Sequence, residues 1–219
     1  MDKEKLDARI SQDKIASVYD GIAPIYDIWS KFTESRAARK AINLANIKDG
    51  QTILEVAVGT GIVFSEIVKS NPNGLNIGID LSQGMLDKSI QRMNKLSASN
   101  YQLNLGTAFD LKIESNTIDI LMNNYMFDLI PFKNMNEILI EFNRVLKTRG
   151  QLVLVNMTEG EKFGSGLYEF IYRISPKTLG GCRGVKLSEQ LKQAGFQVAS
   201  REYCQQMFFP SEVISAIKQ

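Results

Sequence analysis

Residues 53–61 read ILEVAVGTG, an apolar run that closes on Gly59 and Gly61 around Thr60. A glycine adopts φ > 0 freely and lets a ligand approach the backbone. A helix starting after Gly61 would point its free N–H groups at that ligand. Nineteen residues past Gly61, the run LNIGID ends in Asp80, and a carboxylate at such a strand end can accept both hydroxyls of a ribose. Two glycines alone are equally compatible with a bland tight turn. The acid at this distance turns the reading toward a nucleoside-containing ligand. Phe64 stands where the G-x-G-x-x-G fingerprint has its third glycine, and no GxxxxGK[ST] occurs, which argues against dinucleotide and P-loop sites.

Histidine is absent. That removes the commonest general base near neutral pH, the usual catalytic zinc ligand, and Ser-His and Cys-His chemistry. No metal site is expected. Asp27 and Asp128 are the carboxylates that could accept a proton. Asn123 and Asn124 lie at a strand end, where they either meet a ligand or cap a loop. Arg173 and Arg183 could each hold an anionic group, since guanidinium matches carboxylate or phosphate geometry; a surface salt bridge is the plainer reading of either. Cys182 lacks a histidine partner and reads as an idle thiol.

The spacing of apolar residues supplies the frame for these groups. Helical periodicity runs over 10–20, with Ile10, Ile15, Val18 and Tyr19, and over 34–47. Between them YDGIAPIYD, residues 19–27, reads as a turn followed by a short helix, because Gly21 and Pro24 break the period. TILEVAV (52–58), LNIGID, YQLNLG (101–106), TIDILMNN (117–124) and QLVLVNM (151–157) read as strands. Helices are expected over 62–70, from a Ser82 cap to about Ser97 with Met85, Leu86, Ile90, Met93 and Leu96 inward, and from Pro131 to about Lys147, stopped by Gly150. Residues 158–187, rich in glycine and aromatic residues around Pro176, read as an insertion rather than a regular βα unit. A helix over 188–194 and two strands, near 196–203 and 212–218, follow as an antiparallel pair, with Phe208 and Phe209 in the core of that hairpin. Such alternation builds a mostly parallel α/β sheet with helices on both faces, whose ligands bind beyond the carboxyl ends of the strands.

The stretch Glu55, Ala57, Gly59, Gly61 resembles motif I of the class I S-adenosylmethionine-dependent methyltransferases. Asp80, Leu81, Ser82 and Met85 in GIDLSQGMLDKS, and EILIEFNRVLKTRGQLVLVN at 137–156, fit the same family, and the resemblance covers about residues 15–218. VYDGIAPIYDIW, residues 18–29, is similar to the N-terminal lid of the ubiquinone/menaquinone methyltransferase-like group, which makes residues 1–33 a helical lid. The resemblance implies a Rossmann-like seven-stranded mixed sheet, order 3-2-1-4-5-7-6 with the last strand antiparallel, in one domain spanning 1–219. It implies S-adenosyl-L-methionine as cofactor. Gly59, Thr60 and Gly61 would cradle its methionine part, Glu55 would hold that turn, and Asp80 would take the ribose diol. Leu81 or Met85 would pack on the adenine, and Asn123 would meet cofactor or substrate. Ala57 replaces the first glycine of the motif, and its methyl group narrows the approach to the methionine part. Thr107 stands where the family often has an acid near the adenine, with Asp110 three residues on. Ala108 could serve through its backbone N–H, and Phe109 or Leu111 could line the ring.

On this resemblance Tyr19 and Tyr26 are lid residues that close over the sulfonium methyl, since a cation sits well against an aromatic face. Both, with Tyr168, Tyr172, Arg173 and Arg183, would bind the substrate. The activity implied is methyl transfer to a carbon, oxygen or nitrogen of a small molecule, aromatic or isoprenoid-like. Catalysis would proceed mainly by positioning, with Tyr19, Tyr26, Asp27 and Asp128 as candidates for handling a proton. The alternatives are an NAD(P)-dependent Rossmann enzyme, disfavoured by the absent third glycine and Tyr-x-x-x-Lys pair, and a non-catalytic cofactor-binding scaffold.

Composition frames these expectations. The chain of 219 residues is 44% hydrophobic and 23% charged, with 26 basic and 24 acidic residues for a net charge of +2. No cationic block suggests a nucleic-acid partner, no run reaches transmembrane length, and two cysteines make no disulfide scaffold. The polar start MDKEKLDARISQDK is no secretory signal. A cytoplasmic monomer or homodimer is expected.

Overall fold

The computed structural model describes residues 12–23, 26–158, 184–207 and 209–219. Of the residues singled out above, Ile10, Pro24, Tyr168, Tyr172, Arg173, Cys182, Arg183 and Phe208 lie outside the described residues, as do most of the 158–187 insertion and the first part of the expected lid.

Three helices come first: α1 (Gln12–Ile22), α2 (Tyr26–Thr33) and α3 (Ser35–Ala45). Alternation then begins with β1 (Thr52–Val56), α4 (Ile62–Ser70), β2 (Leu75–Asp80), α5 (Gln83–Leu96), β3 (Tyr101–Leu105) and β4 (Ile118–Asn124). A short 3-10 turn, Phe127–Leu129, leads to α6 (Phe132–Val145) and β5 (Leu146–Met157). The chain closes with α7 (Ser188–Gln193), β6 (Phe196–Gln206) and β7 (Phe209–Lys218).

The strands form one sheet in the order β3-β2-β1-β4-β5-β7-β6. β1 to β5 run parallel, and β7 is antiparallel to both β5 and β6. The central strands are buried on both faces, and their side chains alternate between two cores. Leu54, Val56, Leu121, Leu152 and Leu154 point to one core with Ile138, Leu139 and Phe142 of α6. Ile53, Ile120, Met122, Val153 and Val155 point to the other with α3, α4 and α5. Fully burying a side chain of this size contributes about 1.5–3 kcal/mol, so the two layers fix where the strand ends fall.

Four boundaries differ from the periodicity reading. α1 continues through Gly21 instead of turning there; a Cβ at Gly21 would meet nothing within 4 Å, so that glycine is not required by packing. α6 stops at Val145, because Leu146 already pairs with Ile118 as the start of β5. β6 and β7 extend to Gln206 and back to Phe209, which shortens the hairpin connection. The inward stripe of α5 is Met85, Leu86, Ser89 and Met93, while Ile90 and Leu96 are exposed. Ser89 takes the inward place because Gly61 packs against it, leaving room for a small side chain.

Candidate active site

A cavity of about 370 Å³ opens at the carboxyl ends of β1, β2 and β4. Val56, Asp80 and Asn124, the last residues of those strands, all line it. The turn after β1 is left-handed at three positions: Ala57 at φ +61°, Gly59 at +56° and Gly61 at +79°. A residue with a Cβ in this region carries about 1–2 kcal/mol of strain, so Ala57 occupies a position made for glycine.

The two glycines serve different ends. A Cβ at Gly61 would come within 2.4 Å of Ser89 Oγ and 3.1 Å of Ser89 Cα, so Gly61 lets α4 and α5 approach. A Cβ at Gly59 would meet nothing within 4 Å, and Gly59 faces the cavity. Asp80 Oδ2 accepts from the Gly59 N–H at 2.7 Å, and its Oδ1 accepts from the Ser82 N–H at 2.9 Å. The carboxylate therefore ties β2 to the turn after β1. Burial raises its pKa, against these backbone bonds that lower it.

Ser82 caps α5 by accepting from the Met85 N–H at 3.1 Å. It also donates to Asp20 Oδ1 of α1 at 2.5 Å, and the Gly84 N–H donates to the same oxygen at 2.9 Å. These bonds hold the Asp20 carboxyl below the usual range. The second Tyr-Asp pair docks beside the first. Asp27 Oδ1 accepts from Thr60 Oγ1 at 2.6 Å, Asp27 Oδ2 pairs with Arg92 at 2.5 Å, and Arg92 Nε donates to the Thr60 carbonyl at 2.9 Å. Thus α1 and α2 are pinned to the glycine turn and to α5.

Of the residues expected from sequence, Tyr19, Tyr26, Ala57, Gly59, Asp80, Leu81, Met85, Thr107, Ala108 and Phe109 all line the cavity. Glu55, Thr60, Gly61, Asn123, Asp27 and Asp128 are not among its lining residues. Thr60 and Asp27 are occupied with each other, as described. Asn123 Nδ2 donates to the Val56 carbonyl at 2.8 Å and steadies the end of β1. Glu55 is buried under the turn, where Asn124 Nδ2 donates to its Oε1 at 2.9 Å. Burial pushes its carboxyl well above the ordinary range. Asp128 is fully buried in the 3-10 turn. Asp110 pairs with Lys112 at the surface, and Thr107 Oγ1 accepts from the Phe109 N–H at 3.3 Å.

The strand-end reading reaches Tyr125 and Met126 through the segment after β4, but it missed Ala16, Leu129 and Ile130 of the far wall. Tyr125, at φ +52°, turns the chain just after β4, and its hydroxyl is 2.9 Å from Ser211 Oγ of β7. It also missed Glu34 behind Tyr26, whose hydroxyl donates to Glu34 Oε2 at 3.2 Å. The position of Tyr125 directly after the Asn pair was a usable signal; nothing local marked Glu34.

Residues 47–178 match a methyltransferase domain family. The chain belongs to the class I S-adenosylmethionine-dependent methyltransferases. It is 26% identical over 160 residues to the demethylmenaquinone methyltransferase of Bacillus cereus (strain ATCC 10987 / NRS 248), a match covering 70% of this chain and 66% of that relative. It therefore spans slightly less than two thirds of that relative's length. Among solved structures, the [4+2]-cyclase SpnF superposes with a TM-score of 0.77 at 15% identity, over 99% of each chain. Magnesium protoporphyrin IX methyltransferase from Synechocystis PCC 6803 with bound SAH gives 0.73 at 15% identity, over 94% of this chain and 100% of that one. These two likenesses speak to the fold.

The residues present fit the cofactor of the family. Open space at Gly59 provides a cradle that a side chain would fill. Asn124 Oδ1 is buried beside it with no hydrogen-bond partner among the described residues, an acceptor suited to an ammonium group. Among the described residues no cluster of His, Cys, Asp or Glu could hold a metal.

Proposed function

We propose that the protein transfers a methyl group from S-adenosylmethionine to a carbon, oxygen or nitrogen of a small molecule with an aromatic or isoprenoid-like body. The observation that carries this reading is the continuity of one cavity. Its first wall is the Gly59 turn, Asp80 and Met85; its second is Tyr19, Tyr26, Tyr125, Met126, Leu129 and Ile130. The second wall is apolar with hydroxyl tips, the composition that suits an apolar ring or chain bearing a few oxygens. A relative named for demethylmenaquinone points to the same class of acceptor.

When bound, the cofactor supplies an electrophilic methyl group on a sulfonium centre. The chain supplies position. Gly59 and Asn124 would hold the methionine part, Asp80 the ribose, and Leu81, Met85, Ala108 and Phe109 the adenine. The tyrosine faces would sit against the positive charge and exclude water from the acceptor.

Calorimetric titration with S-adenosylmethionine, S-adenosylhomocysteine and NADH, with Asp80→Ala as control, tests the reading. Micromolar binding of the first two, lost in the variant, is the expected result. Binding of NADH alone would overturn it.

A further inference from the structure

Among the described residues, most carboxylates around the cavity are committed to other partners or do not reach it. Asp80 accepts from two backbone N–H groups, Asp20 from Ser82 and Gly84, and Asp27 from Thr60 and Arg92. Glu55 lies beneath the turn and does not line the cavity. Asp128, fully buried, does not line it either. Glu34, at the start of α3, is different. It is buried, yet it is connected to the cavity through one phenol. Tyr26 lines the cavity, and its hydroxyl donates to Glu34 Oε2 at 3.2 Å and lies 3.4 Å from Oε1. The Tyr26 ring stands 6.2 Å from that of Tyr19 at a tilt of 54°, and both residues line the cavity.

We propose that Tyr26 and Glu34 form a proton relay for the acceptor, with the Tyr26 phenol as the group that touches substrate and Glu34 as the final proton acceptor. This inference rests on the methyl-transfer reading above. As the acceptor's nucleophilic atom bonds the methyl carbon, the methyl–sulfur bond breaks and its electron pair remains on sulfur. The proton leaving the acceptor passes to Tyr26 Oη, while the Tyr26 proton passes to the Glu34 carboxylate. The products are a methylated acceptor, a neutral thioether and a protonated Glu34.

The surroundings of Glu34 suit the task. Tyr26 and Ser30 face it from α2, and Tyr125 faces it from the segment after β4, with Asp128 and Cys204 beyond Tyr125. Lys40 of α3 is engaged with Glu202. Burial lifts the Glu34 pKa to about 7, against the two hydroxyls of Ser30 and Tyr26 that lower it. A base with this pKa is near half-charged at neutral pH, the range where general-base efficiency is greatest. It supplies what the missing histidine otherwise would.

The test uses the full chain, with a short-chain prenylated 1,4-naphthohydroquinone as acceptor probe. Binding of S-adenosylhomocysteine is measured first; its absence in the wild type would sink the methyl-transfer reading, and this inference with it. With binding in place, Glu34→Gln and Tyr26→Phe are expected to lower kcat about 100-fold or more. KM and S-adenosylhomocysteine affinity should hold within a few fold, and the acid limb of the kcat profile near pH 7 should disappear. Retention of kcat and of that limb in Glu34→Gln would overturn the relay. If the wild type binds cofactor but leaves the probe untouched, carboxyl 13C titration decides. A glutamate signal with a midpoint near pH 7, missing in Glu34→Gln and displaced upward in Tyr26→Phe, supports the relay. A Glu34 midpoint in the ordinary carboxylate range, or one indifferent to Tyr26→Phe, refutes it.

Discussion

The wall formed by Gly59, Asp80, Ser82 and Met85 is made of strand ends and helix starts, whereas the wall formed by Tyr19, Tyr26 and Tyr125 is made of side chains brought together from distant segments. The first is held by backbone: Asp80 bonds two N–H groups, and Ser82 caps α5. The second is held by hydroxyls and carboxyls, Tyr26 on Glu34 and Tyr125 beside Ser211. The difference teaches where each wall is vulnerable. Changes in the first act through conformation and steric fit. Changes in the second act through charge and protonation.

Four substitutions probe this contrast. Gly61→Ala meets both Ser89 and a left-handed backbone, and overpacking plus this strain should cost roughly 4 kcal/mol. Thermal unfolding should show a melting temperature lower by roughly 8–16 °C. An unchanged Tm would mean that α4 and α5 do not need this contact.

Glu34→Gln tests the second wall by pH. The folded-state pKa of about 7 lies above the ordinary 4.5, so between these values the folded state holds more protons than the unfolded one. Stability from this group is therefore lost as pH rises from about 4.5 to about 7, and the loss is complete above. The neutral amide removes that penalty. Urea unfolding should find Glu34→Gln more stable than wild type at pH 8 by up to about 3 kcal/mol, with the gap closing at pH 4.5. A gap independent of pH would exclude a buried titrating Glu34.

Asp80→Ala should weaken S-adenosylhomocysteine binding about 100-fold, near 2.7 kcal/mol, by removing a charged acceptor and loosening the Gly59 turn. Equal affinity of mutant and wild type would place the ribose elsewhere. Gly59→Ala has the smallest expected effect on the fold. Its Cβ enters open space, so only the left-handed strain of about 1 kcal/mol applies. Binding should fall more than stability, by about tenfold, since the methyl group fills the cradle. A Gly59→Ala variant as unstable as Gly61→Ala would erase the distinction between the two glycines.

The same contrast explains what could be read in the sequence. Apolar runs and turn residues locate the individual strands, whereas the sheet order 3-2-1-4-5-7-6 comes from the family resemblance, and the structure reproduces it. Side-chain roles were less legible. Asp27 read as a possible proton acceptor, but its ion pair with Arg92 lies 65 residues away along the chain and has no periodic signature. Ile90 read as core because it fits helical spacing, yet Gly61 selects Ser89 for the inward place. Glu34 carries its significance only through burial and Tyr26, neither visible before folding. Ala57 shows the reverse case: the motif position was clear, and the reason glycine is usual there emerged as φ +61°.

β7 lies between β5 and β6, although it follows β6 in the chain. During synthesis, β6 has no neighbour in the sheet until residues 209–218 arrive, and Tyr125 has no Ser211 to meet. The nonlocal pairing of β5 with β7 carries a loop-closure cost that slows assembly. The wall of Gly59, Asp80 and Met85 draws on elements no later than α5, while the wall that holds Tyr125 is completed only by β7. Pairing of β7, rather than local helix or turn formation, sets the moment at which the pocket is whole.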